Sequence, residues 1–219
     1  RQADHQKGKH MSRLDLQKCI VGSVFTNCYF LKNKETGEML IIDPGDNAEK
    51  IEQKILEMQG KPVAILLTHG HFDHAGGAAE VAARFGIKVY AEEHERETLD
   101  DPKLNLSGWT GAETTYHADV FLKDEQEFDL AGFHIRVLFT PGHTVGGCCY
   151  YFAYQDALFS GDTLFAQSVG RTDFPKGSAS ALIRGIKEKL LPLPDEVTVY
   201  TGHNDPTTIG TERRYNPYL

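Results

Sequence analysis

The sequence of residues 68–74 is THGHFDH, which places four potential metal ligands within six positions of one another. These ligands are His69, His71, Asp73 and His74. Imidazole nitrogens and carboxylate oxygens bind divalent first-row metals. The preceding residues 63–67 are short and apolar, as in a buried strand, and the alanine-rich residues 75–85 predict a helix. Potential ligands concentrated at the end of a buried strand predict a metal site rather than a solvated polar loop.

Three further candidate ligands also follow apolar runs, each close to a glycine. His143 lies in TPGHT, Asp162 in SGD and His203 in TGH. The repeated context indicates that several strands each deliver one ligand to a common edge, where they would meet the 68–74 loop. Every ligand in the set offers nitrogen or oxygen, so zinc, iron or manganese is expected.

Hydrophobic patterning predicts alternating strands and helices around these motifs. Strands are predicted at residues 14–21, 27–31, 39–42, 63–67, 88–91, 128–130, 133–139, 147–154, 157–159 and 197–201. Helices are predicted after an N-cap at Asp46, over residues 75–85 and over residues 178–190. Two sheets packed face to face with helices outside would bury both sets of strands, giving an α/β fold of four layers, an αββα sandwich. Residues 100–117 have no clear periodicity and are predicted to form a lid over a pocket.

Length and composition limit the partners and the location of the chain. Of its 219 residues, 1–10 are predicted to be a tag or a disordered extension and 11–219 a single domain. The formal net charge of −8 argues against nucleic acid as a partner. Since no apolar run is long enough for a membrane span or a signal peptide, no membrane partner is expected. Four cysteines without a C-x-x-C spacing favour a reducing cytoplasm.

The motifs THGHFDH, TPGHT, GDTLF and the final GH together resemble the metallo-β-lactamase superfamily. The resemblance implies that superfamily's four-layer sandwich and two divalent metal ions, with zinc favoured over iron or manganese. It implies one ion held by His69, His71 and His143, and a second held by Asp73, His74 and His203. Asp162 would bridge the two ions, and Asp73 is also expected to be catalytic. The residue matching Asp43, in the motif IIDPG, is structural in the family and is left out of the ligand set.

Within that superfamily, the segments GDTLFAQSVGRTDFP and TTIGTERRYNPYL resemble small bacterial hydrolases of the glyoxalase II type. This resemblance implies hydrolysis of a small-molecule thioester such as S-lactoylglutathione. Arg171 keeps a basic position of the family and is predicted to bind substrate. Asp173 and Asp205 stand where longer glyoxalase II enzymes have tyrosines, so the thioester substrate can be broader than a glutathione conjugate.

A persulfide dioxygenase of the same superfamily is the main alternative. Such an enzyme uses a single iron, which residues matching His69, His143 and Asp162 would hold. The segment TTIG at residues 207–210 favours the hydrolase. A binding protein with a vestigial site would be expected to lack ligands, whereas all seven are present here.

Overall fold

The computed structural model describes residues 13–219 together with Gly8 and Met11, so the segment predicted as a tag or extension lies outside the described residues apart from Gly8. The first sheet has six strands in the order β1-β2-β3-β4-β5-β6. Its strands are β1 (Leu14–Val21), β2 (Thr26–Asn33), β3 (Glu38–Ile42), β4 (Lys61–Leu66), β5 (Lys88–Glu92) and β6 (Val120–Leu122). Strands β1 to β3 form an antiparallel meander, and β3 to β6 run parallel.

Helices connect the parallel strands of this sheet. They are α1 (Ala48–Glu57), α2 (Phe72–Ala75), α3 (Ala78–Phe85) and α4 (Arg96–Asp100). Parallel neighbours need such crossovers because the chain must return to the other end of the sheet before each new strand. The C-terminal ends of β3, β4 and β5 therefore lie at the same edge of the first sheet.

The second sheet also has six strands, in the order β14-β13-β10-β9-β8-β7. Its strands are β7 (Glu127–Leu130), β8 (Phe133–Phe139), β9 (Cys148–Phe152), β10 (Ala157–Gly161), β13 (Thr198–Thr201) and β14 (Thr207–Thr208). A separate two-stranded ribbon joins β11 (Leu164–Phe165) to β12 (Ser168–Val169). Helices α5 (Ala179–Gly185), which continues as a π-helical turn over Ile186–Leu190, and α6 (Ile209–Tyr215) complete the chain.

Three apolar layers hold these elements together and confirm the αββα sandwich. Alternate residues of β2 show the arrangement, because Tyr29 and Leu31 pack between the two sheets while Phe30 packs under the helices of the first sheet. The layer under the helices of the second sheet contains Leu158 of β10 and Leu182 of α5. Sheets buried on both faces are rich in continuous apolar runs rather than alternating ones.

Two local predictions are wrong in detail. The helix predicted over residues 75–85 is broken at Gly76 and Gly77. A Cβ atom at Gly77 would lie 2.6 Å from the carbonyl oxygen of Pro44, so these glycines let the chain pass close to the loop after β3. The predicted N-cap of α1 is also displaced by one residue. Asn47, in a left-handed conformation with φ of 55°, occupies the cap position in place of Asp46.

Residues 100–117, predicted as a lid, form an ordered loop with one 3-10 turn at Ser107–Thr110. The buried side chain of Asn105 donates hydrogen bonds to the carbonyl oxygens of Leu99 at 3.2 Å and Thr114 at 2.9 Å. These bonds tie the two ends of the loop together. Among the helices of the described residues, none is long and apolar enough to cross a membrane.

Candidate metal centre

The structure brings all seven predicted ligands together at one edge of the sandwich. The loop and helix after β4 supply His69, His71, Asp73 and His74, and the loops after β8, β10 and β13 supply His143, Asp162 and His203. Each loop begins where a strand ends, so a rigid sheet sets the position of every ligand candidate. The predicted clustering is therefore confirmed.

The first group of side chains is formed by His69, His71 and His143. One ring nitrogen of each lies within 4.8 Å of the others, and all three residues are buried. Nδ1 of His71 is 3.1 Å from Nε2 of His143. Three converging imidazoles in a buried site are a ligand set typical of zinc.

The second group contains Asp73, His74, Asp162 and His203, again with one atom of each within 4.8 Å of the others. Oδ2 of Asp73 lies 3.1 Å from Nε2 of His203 and 3.3 Å from Nε2 of His74. Two imidazoles and two carboxylates make a harder ligand set than the first group, suited to zinc, iron or manganese.

Asp162 lies between the two groups. Its Oδ2 is 3.4 Å from Nε2 of His143 in the first group and 3.4 Å from Nε2 of His203 in the second. Its Oδ1 is 3.2 Å from Nε2 of His74. A carboxylate placed here would be within reach of an ion held by either group.

The donor atoms fit divalent cations. Nε2 of His69, Nε2 of His74 and Oδ1 of Asp162 are buried and have no hydrogen-bond partner. Leaving such atoms unpaired costs about 1–3 kcal/mol each, so a missing partner is expected. Four ligands placed tetrahedrally at about 2.0–2.2 Å from an ion lie roughly 3.3–3.6 Å apart. The distances between the donor atoms run from 3.1 Å, between His71 and His143, to 3.8 Å, between His69 and Asp162, and so bracket this spacing.

Hydrogen bonds on the far side of the rings orient the lone pairs toward the centre. Nδ1 of His143 donates to the carbonyl oxygen of Arg171 at 2.8 Å, and Nδ1 of His203 to that of Phe25 at 3.3 Å. With the proton held on Nδ1, Nε2 carries the lone pair that a metal needs. Outer partners of this kind fix both the tautomer and the direction of a ligand.

Asp43 supports the loop from behind, as expected for a residue outside the ligand set. Its Oδ2 accepts from Nδ1 of His74 at 2.8 Å and from the hydroxyl of Thr68 at 2.6 Å. The Thr68 oxygen in turn lies 3.0 Å from Nδ1 of His69. Sequence reasoning missed Thr68, and it also missed Glu95, whose contacts are described below.

The histidines of the two groups differ in their pKa. Burial, together with the neighbouring His143, lowers the pKa of His71 to about 3, so this imidazole is neutral and able to bind a cation. Burial disfavours the charged form of His203, but hydrogen bonds to Asp162 and Asp73 outweigh it and raise its pKa to about 10. Despite burial, the same carboxylates also raise the pKa of His74, so without a cation the protons on His203 and His74 offset the two negative charges of the second group.

A cavity of about 570 Å³ opens onto the ligand cluster. Its walls are largely apolar and include Val24, Leu106, Trp109, Phe165, Val169 and Phe174. The ring of Phe174 lies 5.4 Å from those of both His71 and Trp109. The lid residues thus form part of a pocket that leads to the candidate metal site.

Arg171 lines this cavity, and its side chain is already paired. Its Nε and Nη2 donate to the two carboxylate oxygens of Asp173, each at 2.7 Å. The guanidinium lies 4.2 Å from the ring centre of Phe174. The side chains of Arg171 and Asp173 are more than half exposed, so this ion pair contributes little stability and can be displaced.

We expect a chelator to lower the melting temperature of the metal-loaded protein, and added zinc to restore it. Ligand that binds only the folded state stabilises it by about 2.7 kcal/mol at a concentration of 100 Kd. Thermal unfolding followed by circular dichroism, with and without EDTA, measures the shift. A loaded protein whose melting temperature is the same in both samples would contradict the assignment of these residues as metal ligands.

Comparisons with known proteins agree with the fold and the site. The family model described as the metallo-beta-lactamase superfamily matches residues 21–203. The protein named "Probable metallo-hydrolase YqgX" of Bacillus subtilis (strain 168) is 42% identical over 201 residues, covering 91% of this chain and 94% of that protein. "Hydroxyacylglutathione hydrolase GloC" of Haemophilus influenzae (strain Rd) is 37% identical over 199 residues, covering 88% of this chain and 92% of that protein.

Solved structures extend the comparison. The BLEG-1 B3 metallo-beta-lactamase has a TM-score of 0.89 at 42% identity and covers 94% of this chain and 99% of its own. TTHA1623 in a di-iron-bound form has a TM-score of 0.82 at 35% identity and covers 93% of this chain and 100% of its own. The family match, the relatives and the seven clustered side chains agree, and the chain belongs to the metallo-beta-lactamase superfamily.

Proposed function

We propose that this metallo-hydrolase hydrolyses small-molecule thioesters, with S-lactoylglutathione as the candidate substrate. The observation that carries the proposal is Asp162, whose carboxylate faces both groups of potential ligands. That position suits a centre of two divalent ions, zinc in the first instance and iron or manganese otherwise. The 37% identity to a protein named as a hydroxyacylglutathione hydrolase supports the substrate class, and the di-iron form of TTHA1623 supports two ions.

When bound, the two cations would lower the pKa of a water molecule and stabilise the oxyanion that forms at the thioester carbonyl. Asp73 lines the cavity and accepts a hydrogen bond from the hydroxyl of Thr26 at 3.2 Å. Burial raises the pKa of Asp73, but the charge of the neighbouring His74 and a hydrogen bond from His203 outweigh it and hold the pKa below its usual range. A carboxylate of such low basicity would orient the attacking water by accepting its hydrogen bond. The thiolate, with a pKa of about 8.5, leaves without a strong acid.

The cavity walls favour an apolar portion in the substrate. Trp109, Phe174 and Phe165 offer ring surfaces for an acyl or thiol chain. Among the described residues that line the cavity, Arg171 is the single lysine or arginine. It is therefore the candidate group for a substrate carboxylate.

Substitution Arg171→Ala is expected to raise KM for an anionic thioester several-fold, with a smaller effect on kcat. The guanidinium lies at the edge of the cavity, so it would act on binding rather than on the reacting carbonyl. The carbonyl oxygen of Arg171, which holds His143, survives the substitution. Steady-state kinetics on S-lactoylglutathione measures both constants.

Asp173→Asn provides the matched control for that prediction. It removes the competing carboxylate from the guanidinium and is expected to lower KM for the same substrate. A neutral thioester should respond to neither substitution. If KM for the anionic thioester is unchanged in Arg171→Ala, the predicted binding role of Arg171 is wrong.

A persulfide dioxygenase with one iron is the second candidate function. The residues that would hold its iron are close enough, because Nε2 of His69 and Nε2 of His143 lie 3.8 and 3.4 Å from Oδ2 of Asp162. That single-ion chemistry needs no cation at Asp73, His74 and His203, although both kinds of enzyme can keep these residues. A second bound cation would therefore favour the hydrolase.

The proposal is tested by offering three substrates to the metal-loaded protein. Release of free thiol from S-lactoylglutathione, oxygen uptake with glutathione persulfide and opening of a β-lactam ring are measured side by side. The β-lactam is included because a similar solved structure is titled a B3 metallo-beta-lactamase. Thioester hydrolysis well above the other two activities is expected. Oxygen uptake or β-lactam opening as the dominant activity would overturn the proposal.

A further inference from the structure

Glu95 is a buried carboxylate behind the first group of metal-ligand candidates. It ends the 3-10 turn Glu93–Glu95 that follows β5, and the residue is 1% exposed. A carboxylate is costly to bury unless its oxygens are satisfied by donors. The donors that bind its oxygens therefore show which segments of the chain Glu95 stabilises.

Three of its hydrogen-bond donors lie in the two loops that carry the first group, and a fourth, the side chain of Thr98, belongs to α4. Oε2 of Glu95 accepts from the main-chain N–H of Gly70 at 2.8 Å and from the hydroxyl of Thr144 at 2.6 Å. Oε1 accepts from the main-chain N–H of Gly146 at 3.1 Å. Gly70 lies between His69 and His71 in the sequence, and Thr144 directly follows His143. One carboxylate thus connects the chain segments of all three histidines.

The packing around these contacts requires glycine at position 146 and is close at position 70. A Cβ atom at Gly146 would collide with the main chain of Glu95. A Cβ atom at Gly70 would lie 2.9 Å from the side chain of Leu99 and 3.4 Å from that of Glu95. The 143–146 loop therefore approaches the main chain of the Glu95 turn directly, and the 69–71 loop packs against the side chains of Leu99 and Glu95.

The second group is supported by other partners. Nδ1 of His74 donates to Asp43, and Nδ1 of His203 donates to the carbonyl oxygen of Phe25. Asp162 follows β10 directly and accepts no hydrogen bond from the Glu95 turn among the described contacts. Loss of the Glu95 carboxylate should consequently disturb one group more than the other.

We propose that Glu95 is a positioning residue that joins the 69–71 loop to the 143–146 loop and so sets the spacing of the first group, His69, His71 and His143. The inference rests on the two-ion centre of the proposed function. Without the carboxylate, the main-chain donors of Gly70 and Gly146 lose their shared acceptor, and the separation between Nδ1 of His71 and Nε2 of His143 is no longer held. Partners of this kind outside the ligand shell typically contribute about 10–100-fold to metal affinity.

Glu92 offers a matched control three residues away. Its side chain is equally buried, but its carboxylate accepts from the main-chain nitrogen of His94 at 2.7 Å and lies 2.6 Å from Nδ1 of the same residue. These contacts are local to the turn, and none of them involves a loop that carries a ligand. Glu92→Gln therefore also removes a buried carboxylate, but it leaves the hydrogen bonds between Glu95 and the two ligand loops in place.

The experiment titrates metal-free protein with zinc against a chelating dye and compares the wild type with Glu95→Gln, Thr144→Val and Glu92→Gln. Glutamine keeps the shape of Glu95 but presents an amide N–H₂ in place of one acceptor oxygen. We expect about 10–100-fold weaker binding of one zinc ion in Glu95→Gln, unchanged binding of the other, and both affinities unchanged in Glu92→Gln. Thr144→Val, which removes one donor and keeps the shape of the side chain, should weaken the same ion by a smaller factor.

Cobalt provides an independent reading of the same site. The visible absorption of a bound cobalt ion depends on its ligand geometry, so the spectrum of one ion should change in Glu95→Gln and stay as in the wild type in Glu92→Gln. Equal affinities and spectra in wild type and Glu95→Gln, or an equal loss at both ions, would overturn the inference. A wild-type protein that binds fewer than two ions would instead overturn the two-ion centre, and the inference with it.

Discussion

Asp162→Ala is expected to release both metal ions and to lower thioester hydrolysis by about 10³-fold or more, because the loss of one preorganised charge-stabilising group alone costs roughly 10²–10³. Its carboxylate faces a histidine of each group at 3.4 Å. Among the described residues, Asp43 also lies near a histidine of each group, but its Oδ2 is already bonded to Nδ1 of His74 and to the hydroxyl of Thr68. Metal content per chain, together with kcat on S-lactoylglutathione, measures the effect.

The control for this prediction is Asp129→Ala. Asp129 also pairs with a histidine, since its Oδ1 lies 2.8 Å from Nδ1 of His134, but the pair is on the exposed face of β7 and β8. The control should keep two ions and full activity. An Asp162→Ala protein that retains two ions would show that this residue does not connect the groups.

His203→Ala is expected to reduce the metal content toward one ion per chain and to lower hydrolysis by about 10²-fold or more, since a contact that stabilises the transition state is lost. The first group contains no atom of His203, so its ion should remain. The side chain of His203 is 21% exposed, and its removal leaves the core intact. Elemental analysis and thiol release give the two quantities.

The outcome for His203→Ala also separates the two candidate functions. A hydrolase of the proposed kind needs the second cation, whereas one iron suffices for oxygen chemistry. If the variant kept full activity with one bound iron and consumed oxygen with glutathione persulfide, the hydrolase would be the wrong assignment. His134→Ala, which alters a partly exposed histidine paired with Asp129 and Glu127, serves as the control.

The sequence predicts the layers of the fold well because their signals are repeated along the chain. In β2, Tyr29 and Leu31 pack on one face and Phe30 on the other, which gives the continuous apolar run of a sheet buried on both sides. Strands of two or three residues, such as β6, β11, β12 and β14, carry no such pattern and are missed. These short strands form because neighbouring strands of the sheet pair with them, not because their own residues strongly favour a strand.

Helix boundaries depend on contacts that the local sequence does not contain. The alanine-rich residues 75–85 favour one helix, but the close approach of Gly77 to the carbonyl oxygen of Pro44 interrupts it. The N-cap of α1 also depends on a tertiary contact. The side chain of Asn47, in the loop after β3, accepts a hydrogen bond from the main-chain N–H of Gly22, in the turn after β1, at 2.9 Å. Tertiary packing determines both positions.

The site is predictable where several ligand-type residues lie close together, and unpredictable where one residue acts across the fold. The histidines of residues 68–74 form a dense motif, and His143, Asp162 and His203 repeat one context after a strand. Glu95 stands alone in an acidic turn, with nothing in its neighbourhood to distinguish it from Glu93. Its contact with Thr144 joins residues 49 positions apart, which no local pattern records.

The central claim, that two groups of side chains hold two cations for one hydrolytic reaction, is tested most directly by titrating the metal-free protein with zinc while thioester hydrolysis is followed. The account predicts that activity rises until two equivalents per chain are bound and then stays constant. Activity that is complete at one equivalent, or that is present before any metal is added, would contradict it.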